Sequence, residues 1–128
     1  MYAYQRLEAW KRAHQALMLT LKSTDKAYHP RSKALFDQLK RAAISVEANI
    51  VEGYALATVP LFQRHIRIAI GSAAEAETLT RAANEAEYLD PSVCHELAIV
   101  FGGMLGALIG LFRSLPARTA PLRALSRR

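Results

Sequence analysis

Cysteine is almost missing from this sequence: Cys94 is the only one in 128 residues. A lone thiol excludes an internal disulfide and fits a reducing compartment, so a cytoplasmic location is expected. No apolar run follows the charges of the opening MYAYQRLEAWKR, and no secretory signal is expected. Long uncharged runs are few. The longest, Leu97 to Phe112, has sixteen residues between Glu96 and Arg113. A membrane-spanning helix needs about twenty, so this run is expected to be a buried helix of a soluble bundle, with no membrane partner. Motifs for common chemistry are lacking too. There is no phosphate loop and no dinucleotide glycine fingerprint. His14, His29, His65 and His95 each lack a Glu three residues before, which excludes the Glu-x-x-His pairs of di-iron bundles. Cys94 and His95 are adjacent and so point to different sides of a helix, which disfavours a nucleophile–base pair. No metal or cofactor is expected. Aromatic residues are not interleaved with basic ones in the manner of single-strand readers.

What is present suits one all-α domain. Hydrophobic residues make up 52% and charged residues 22%, a balance that supports a packed core and argues against disorder. The net charge of +6 permits nucleic acid, an acidic protein or an anionic surface as partner. The charge is unevenly spread. Residues 1–41 hold nine basic and three acidic side chains, and residues 75–96 hold six acidic and one basic.

Helical spacing divides the chain into four. The first helix is expected over Tyr4 to Ala27, with Leu7, Trp10, His14, Leu17 and Leu21 as core stripe, Met18 widening it, and Trp10 as anchor. Arg6, Lys11, Arg12, Lys22 and Lys26 make that helix basic. Pro30 ends the first connection and Ser32 can cap the second helix. Thr58 can cap the third, with Pro60 in its first turn, and this helix should reach Tyr88. Asp90-Pro91 opens the fourth, which should run to Leu115 around Val100, Met104, Leu108 and Leu111. Gly102, Gly106 and Gly110 share one of its faces. Each costs about 1 kcal/mol of helix propensity relative to alanine, so the line suggests close contact with another helix, within the chain or across an interface. Three short connections make the neighbours antiparallel, giving an up-down-up-down four-helix bundle over residues 1–115. Residues 116–128 form a basic, proline-containing tail with Arg118, Arg123, Arg127 and Arg128.

The stretch Gln38 to Tyr54, QLKRAAISVEANIVEGY, is two-faced. Leu35, Leu39, Ala42, Ala43, Val46 and Ile50 form an apolar stripe, while Gln38, Arg41, Ser45, Asn49 and Glu52 share a polar face. Gly53 is expected to stop the helix in the left-handed conformation. A later stretch, IAIGSAAEAETL, sets Ser72 and Glu75 among small residues. A buried network is expected in which Arg41 pairs with Glu75 or Glu52, and Asn49 and Ser72 satisfy groups nearby. Breaking such a pair would cost roughly 3–5 kcal/mol. Two carboxylates can also divide acid and base roles in an open cleft, but covered and paired ones are structural, and no enzyme is expected.

These two stretches resemble the four-helix bundle proteins first noticed as open reading frames in intervening sequences of large-subunit ribosomal RNA genes. The resemblance rests on Gln38, Arg41-Ala42-Ala43, Ser45, Asn49-Ile50 and Glu52-Gly53, then on Phe62, Ile68-Ala69, Gly71-Ser72, Glu75, Glu77-Thr78 and Tyr88-Leu89. It covers most of residues 4–112. It implies the bundle fold and says less about the role. Relatives that accompany retroelement reverse transcriptases form pentameric barrels and bind nucleic acid and the enzyme through basic surfaces. The resemblance therefore implies a homopentamer with an RNA- or DNA-linked accessory role. The alternative is an interaction module whose basic first helix and tail meet an acidic protein. One departure bears on the choice: the loop Gly53 to Thr58, often basic in such proteins, carries no charge here.

Overall fold

The computed structural model describes residues 3–115. Four helices, α1 (Glu8–Lys26), α2 (Lys33–Ala55), α3 (Val59–Glu85) and α4 (Pro91–Ser114), pack as an antiparallel ring in which each touches the one before and after it, and α1 closes on α4. There is no strand among the described residues. The four arginines of the tail lie outside them.

The interior forms where the helical stripes meet. Phe36, Phe62 and Phe101 are fully buried with Leu39, Ile50, Ile66, Leu97, Met104 and Leu108 around them. Full burial of such a side chain contributes about 1.5–3 kcal/mol. The stripe of α2 lies where the spacing puts it: Leu39, Ala42, Ala43, Val46 and Ile50 are buried, and Leu35 is half-buried. For the first helix the expectation holds at Leu7, which is buried, and fails within α1. Its buried face is Ala9, Ala13, Ala16, Thr20 and Thr24. Trp10, Leu17 and Leu21 are half-buried beside it, and His14 and Met18 are exposed. Small residues win this face because they let α1 lie close to its neighbours. The buried threonines cost little, since Thr20 Oγ1 donates to Ala16 O at 2.7 Å and Thr24 Oγ1 to Thr20 O at 2.8 Å. On α4 the buried face is Cys94, Leu97, Phe101, Met104 and Leu108; Met104 and Leu108 are buried as expected, while Val100 and Leu111 are half-buried beside them.

The helix ends also differ from expectation. Residues 3–6 form a separate 3-10 turn, because Leu7 takes an extended conformation (ψ 130°) while its side chain enters the core. Ser32 does not cap α2; its hydroxyl donates to His29 O at 3.0 Å. Thr58 does cap α3, accepting from Leu61 N at 3.4 Å. α3 stops at Glu85, short of Tyr88, in a Schellman turn: Tyr88 N donates to Ala83 O at 2.8 Å and Glu87 N to Asn84 O at 3.1 Å. Glu87, with φ 60°, fills the left-handed position that glycine prefers.

Gly53 is not a stop. α2 continues to Ala55, and the left-handed residue after it is Ala57, with φ 61°. Gly53 is buried inside the helix, where a Cβ would stand 2.6 Å from His65 Cβ and 3.1 Å from Phe62 Cδ2. Its role is to let α2 and α3 touch. Gly53→Ala is therefore expected to destabilise by roughly 1–3 kcal/mol, against its gain of about 1 kcal/mol in helix propensity. Glu87→Gly should stabilise by about 0.5–1 kcal/mol, since it removes left-handed strain. Urea midpoints of the two variants, moving in opposite directions, check both.

Candidate functional site

The polar faces of α2 and α3 meet in a seam of hydrogen bonds. At its deeper end Asn49 Nδ2 donates to Ser45 O at 2.8 Å and to Ser45 Oγ at 3.1 Å. That fixes the amide, so Asn49 Oδ1 faces His65 and accepts from its Nδ1 at 2.9 Å. Ser45 and Ser72 share a hydroxyl–hydroxyl bond of 2.8 Å. All four side chains are half-buried. Towards the rim, Gln38 Nε2 donates to Glu75 Oε2 at 2.9 Å and Arg41 Nη1 to Gln38 Oε1 at 3.4 Å.

The seam thus gathers Gln38, Arg41, Ser45, Asn49, Ser72 and Glu75, but not as an ion pair. Among the described residues Arg41 meets neither Glu75 nor Glu52; it reaches the seam only through Gln38. Arg41 and Glu75 are both exposed, and in water a direct pair would gain little over solvation. Glu52 is exposed and its side chain stands outside the seam. His65 belongs to the seam and was missed from the sequence. The signal was its place seven residues before Ser72, two turns along the same face. Neither Glu52 nor Glu75 lines any of four cavities found among the described residues.

The basic side chains are less free than the sequence suggests. Arg12 Nε pairs with Glu8 at 3.0 Å, and its guanidinium lies over Gly103. Lys22 and Lys26 share a cavity of about 520 Å³ with Glu87, Asp90 and Glu96. Arg6 and Lys11 are exposed. Two arginines that sequence reading passed over, Arg64 and Arg67, line a different cavity with Pro60, Gln63 and Phe112. Their spacing of three on the opening turns of α3, with no acid before Glu75, was the legible sign.

No group of three or more His, Cys, Asp or Glu among the described residues is placed to hold a metal ion. Cys94 is buried while His95 is exposed. Burial, and then the charge of Asp90, push the Cys94 thiol above its ordinary pKa, which suppresses the reactive thiolate at neutral pH.

Residues 5–100 match the family model described as 23S rRNA-intervening sequence protein. A solved structure of a protein of unknown function, from the S23 ribosomal protein family of Bacteroides thetaiotaomicron, is similar in fold. Its TM-score is 0.64 at 17% identity, over 80% of this chain and 99% of that one. No curated protein matches the chain.

The geometry reverses the expected cost of mutation along the seam. Arg41→Ala should change stability by no more than about 0.5 kcal/mol. Asn49→Ala strands the His65 and Ser45 groups and should cost about 1–3 kcal/mol. Chemical denaturation of both variants checks the contrast. Cys94 should resist alkylation in the native protein at neutral pH and react once urea unfolds it, as mass spectrometry of iodoacetamide-treated samples would read.

Proposed function

The chain belongs to the 23S rRNA-intervening sequence protein family, and we propose that it works as a non-enzymatic, self-associating bundle that accompanies nucleic acid. The observation that carries the reading is the uncovered face of α4. Ile99 is 63% exposed, and among the described residues nothing stands within 4 Å of where a Cβ on Gly102, Gly106 or Gly110 would be. The openness of the glycine line supports the second role suggested by its spacing, an interface.

By length and composition α4 is, among the described residues, the one helix able to cross a membrane, and only 22% of its most apolar window is buried. A second copy is the better cover. The uncharged run of sixteen residues is short for a span of about twenty. The opposite face of α4 supplies Leu97, Phe101, Met104 and Leu108 to the core, so the helix cannot enter lipid without opening the bundle. The counterpart we assign to it is the apolar margin of α1 and α2. There Met18 and Ile44 are 38% and 47% exposed, beside the half-buried Leu17 and Leu21. Large side chains from this surface fit the glycine line of the next copy. Such head-to-tail contacts close into rings, and the family resemblance favours five subunits. An acidic protein partner for α1 is disfavoured, because Lys22, Lys26 and Arg12 already face carboxylates of this chain.

Light scattering at micromolar concentration tests the reading. A multiple of 14.2 kDa is expected. Gly106→Leu has open space around its Cβ, so the single bundle should keep or gain stability, by up to about 1 kcal/mol. The same change should block close approach and reduce the mass to one chain. A wild-type mass of one chain in detergent-free buffer, or partition into the membrane fraction, would reject self-association through this face.

A further inference from the structure

Where α3 begins and α4 finishes, Pro60, Gln63, Arg64, Arg67 and Phe112 line an open cavity of about 440 Å³. The four α3 residues recur at steps of three, one and three, so they share one face of its first turns. The guanidinium carbon of Arg67 stands 5.5 Å from the centre of the Phe112 ring. That stack holds the planar donor fork in place before any ligand arrives. Neither arginine has a carboxylate partner among the described residues, where the ion pairs engage Arg12, His14, Lys33 and Lys40 instead. From Val59 to Ala74 α3 carries no acid. Like charges one turn apart repel, so the pair is tolerated at a cost that an anion between them would remove. Arg113 follows Phe112 in the last turn of α4 and adds to the positive field.

We propose that this cavity is a phosphate-binding site whose ligand is the backbone of a single-stranded nucleic acid. The two guanidinium groups and the Gln63 amide supply donors for phosphate oxygens. The outer face of the Arg67–Phe112 stack supplies a platform for a neighbouring base. This platform favours a nucleotide over an acidic peptide, whose carboxylates the same arginines would also accept but whose side chains have nothing flat to lay on it. The inference rests on the nucleic-acid part of the reading above and is independent of self-association.

The test is fluorescence anisotropy of the full chain with a short labelled oligouridylate over a range of salt. Arg64→Ala and Arg67→Ala should each weaken binding about tenfold and flatten the dependence of log affinity on log salt by roughly 0.7. Arg67→Lys keeps the charge but loses the planar stack, so it should still bind severalfold more weakly. Both positions are exposed, and an unchanged melting curve confirms that each variant folds. The double variant Lys22→Ala/Lys26→Ala should bind as the wild type does. If that double variant loses binding and the arginine variants keep it, nucleic-acid association stands and this site falls. If the wild type does not bind at all, both fall. Polyglutamate or inorganic pyrophosphate competing as well as unlabelled RNA would overturn the strand as ligand.

Discussion

At Gly53 a single added carbon would stand 2.6 Å from the Cβ of His65, so the distance between α2 and α3 is set by the absence of a side chain. That closeness brings Asn49 within 2.9 Å of His65 and Ser45 within 2.8 Å of Ser72. Hydrogen bonds of this length tolerate little sliding, so the seam fixes the register of one helix on the other. The same register sets Phe62 against Tyr54 edge to face, with ring centres 5.9 Å apart, and places the opening turns of α3 opposite the end of α4. The cavity with Arg64, Arg67 and Phe112 lies there, between α3 and α4. The half-buried part of the seam is built from hydroxyl, amide and imidazole groups that are satisfied locally. Its ionised members, Arg41 and Glu75, stand at the exposed rim, where they avoid the desolvation cost of a buried ion.

The bundle itself was legible in the sequence, because the stripe of α2 and the punctuating prolines leave few alternatives. Pro60 and Pro91 stand in the first turns of α3 and α4 as read. The seam was legible as a set of residues and illegible as a set of bonds. Helical spacing places Gln38, Arg41, Ser45 and Asn49 on one face, but which partner each meets depends on how deep α3 lies against α2. That depth is a tertiary quantity, and opposite charges on facing helices attract a reader to a pair, Arg41 with Glu75, that the exposed rim does not form. Gly53 was misread for a related reason. Glycine near the end of a helical pattern signals a stop locally, and only the neighbouring helix reveals that the missing Cβ is the point. The actual left-handed residues, Ala57 and Glu87, carry no local signal at all.

The largest misreading, the stripe of α1, is the most informative. Hydrophobic periodicity ranks residues by side-chain size, and on α1 it selects Trp10, Leu17 and Leu21 over Ala9, Ala13 and Ala16. The structure selects the reverse, because the interior near α1 is already filled from the other side. Phe36, Phe101, Met104 and Leu108 are buried in the same core cluster as the alanines of α1, and a second layer of large groups would overpack the space. Alanine and threonine on α1 are the complement of large residues on α2 and α4.

A consequence follows for the outside of the molecule. A narrow interior holds a fixed volume of apolar side chains, and this chain, at 52% hydrophobic, has more than it can hold. The surplus is not scattered. On α1 it forms the margin of Trp10, Leu17, Met18 and Leu21, and on α4 it forms the face with Ile99 and the open glycines. Trp10 marks the strain of that arrangement: its ring stacks on His14 at 5.2 Å, yet its buried Nε1 finds no acceptor among the described residues. One surface carries large groups and the other sets Ile99 beside a line of glycines, and they lie on different helices of the same bundle. Small residues inside α1 thus bear on the surface outside it, because the room denied in the core is what leaves its large side chains half-buried or exposed.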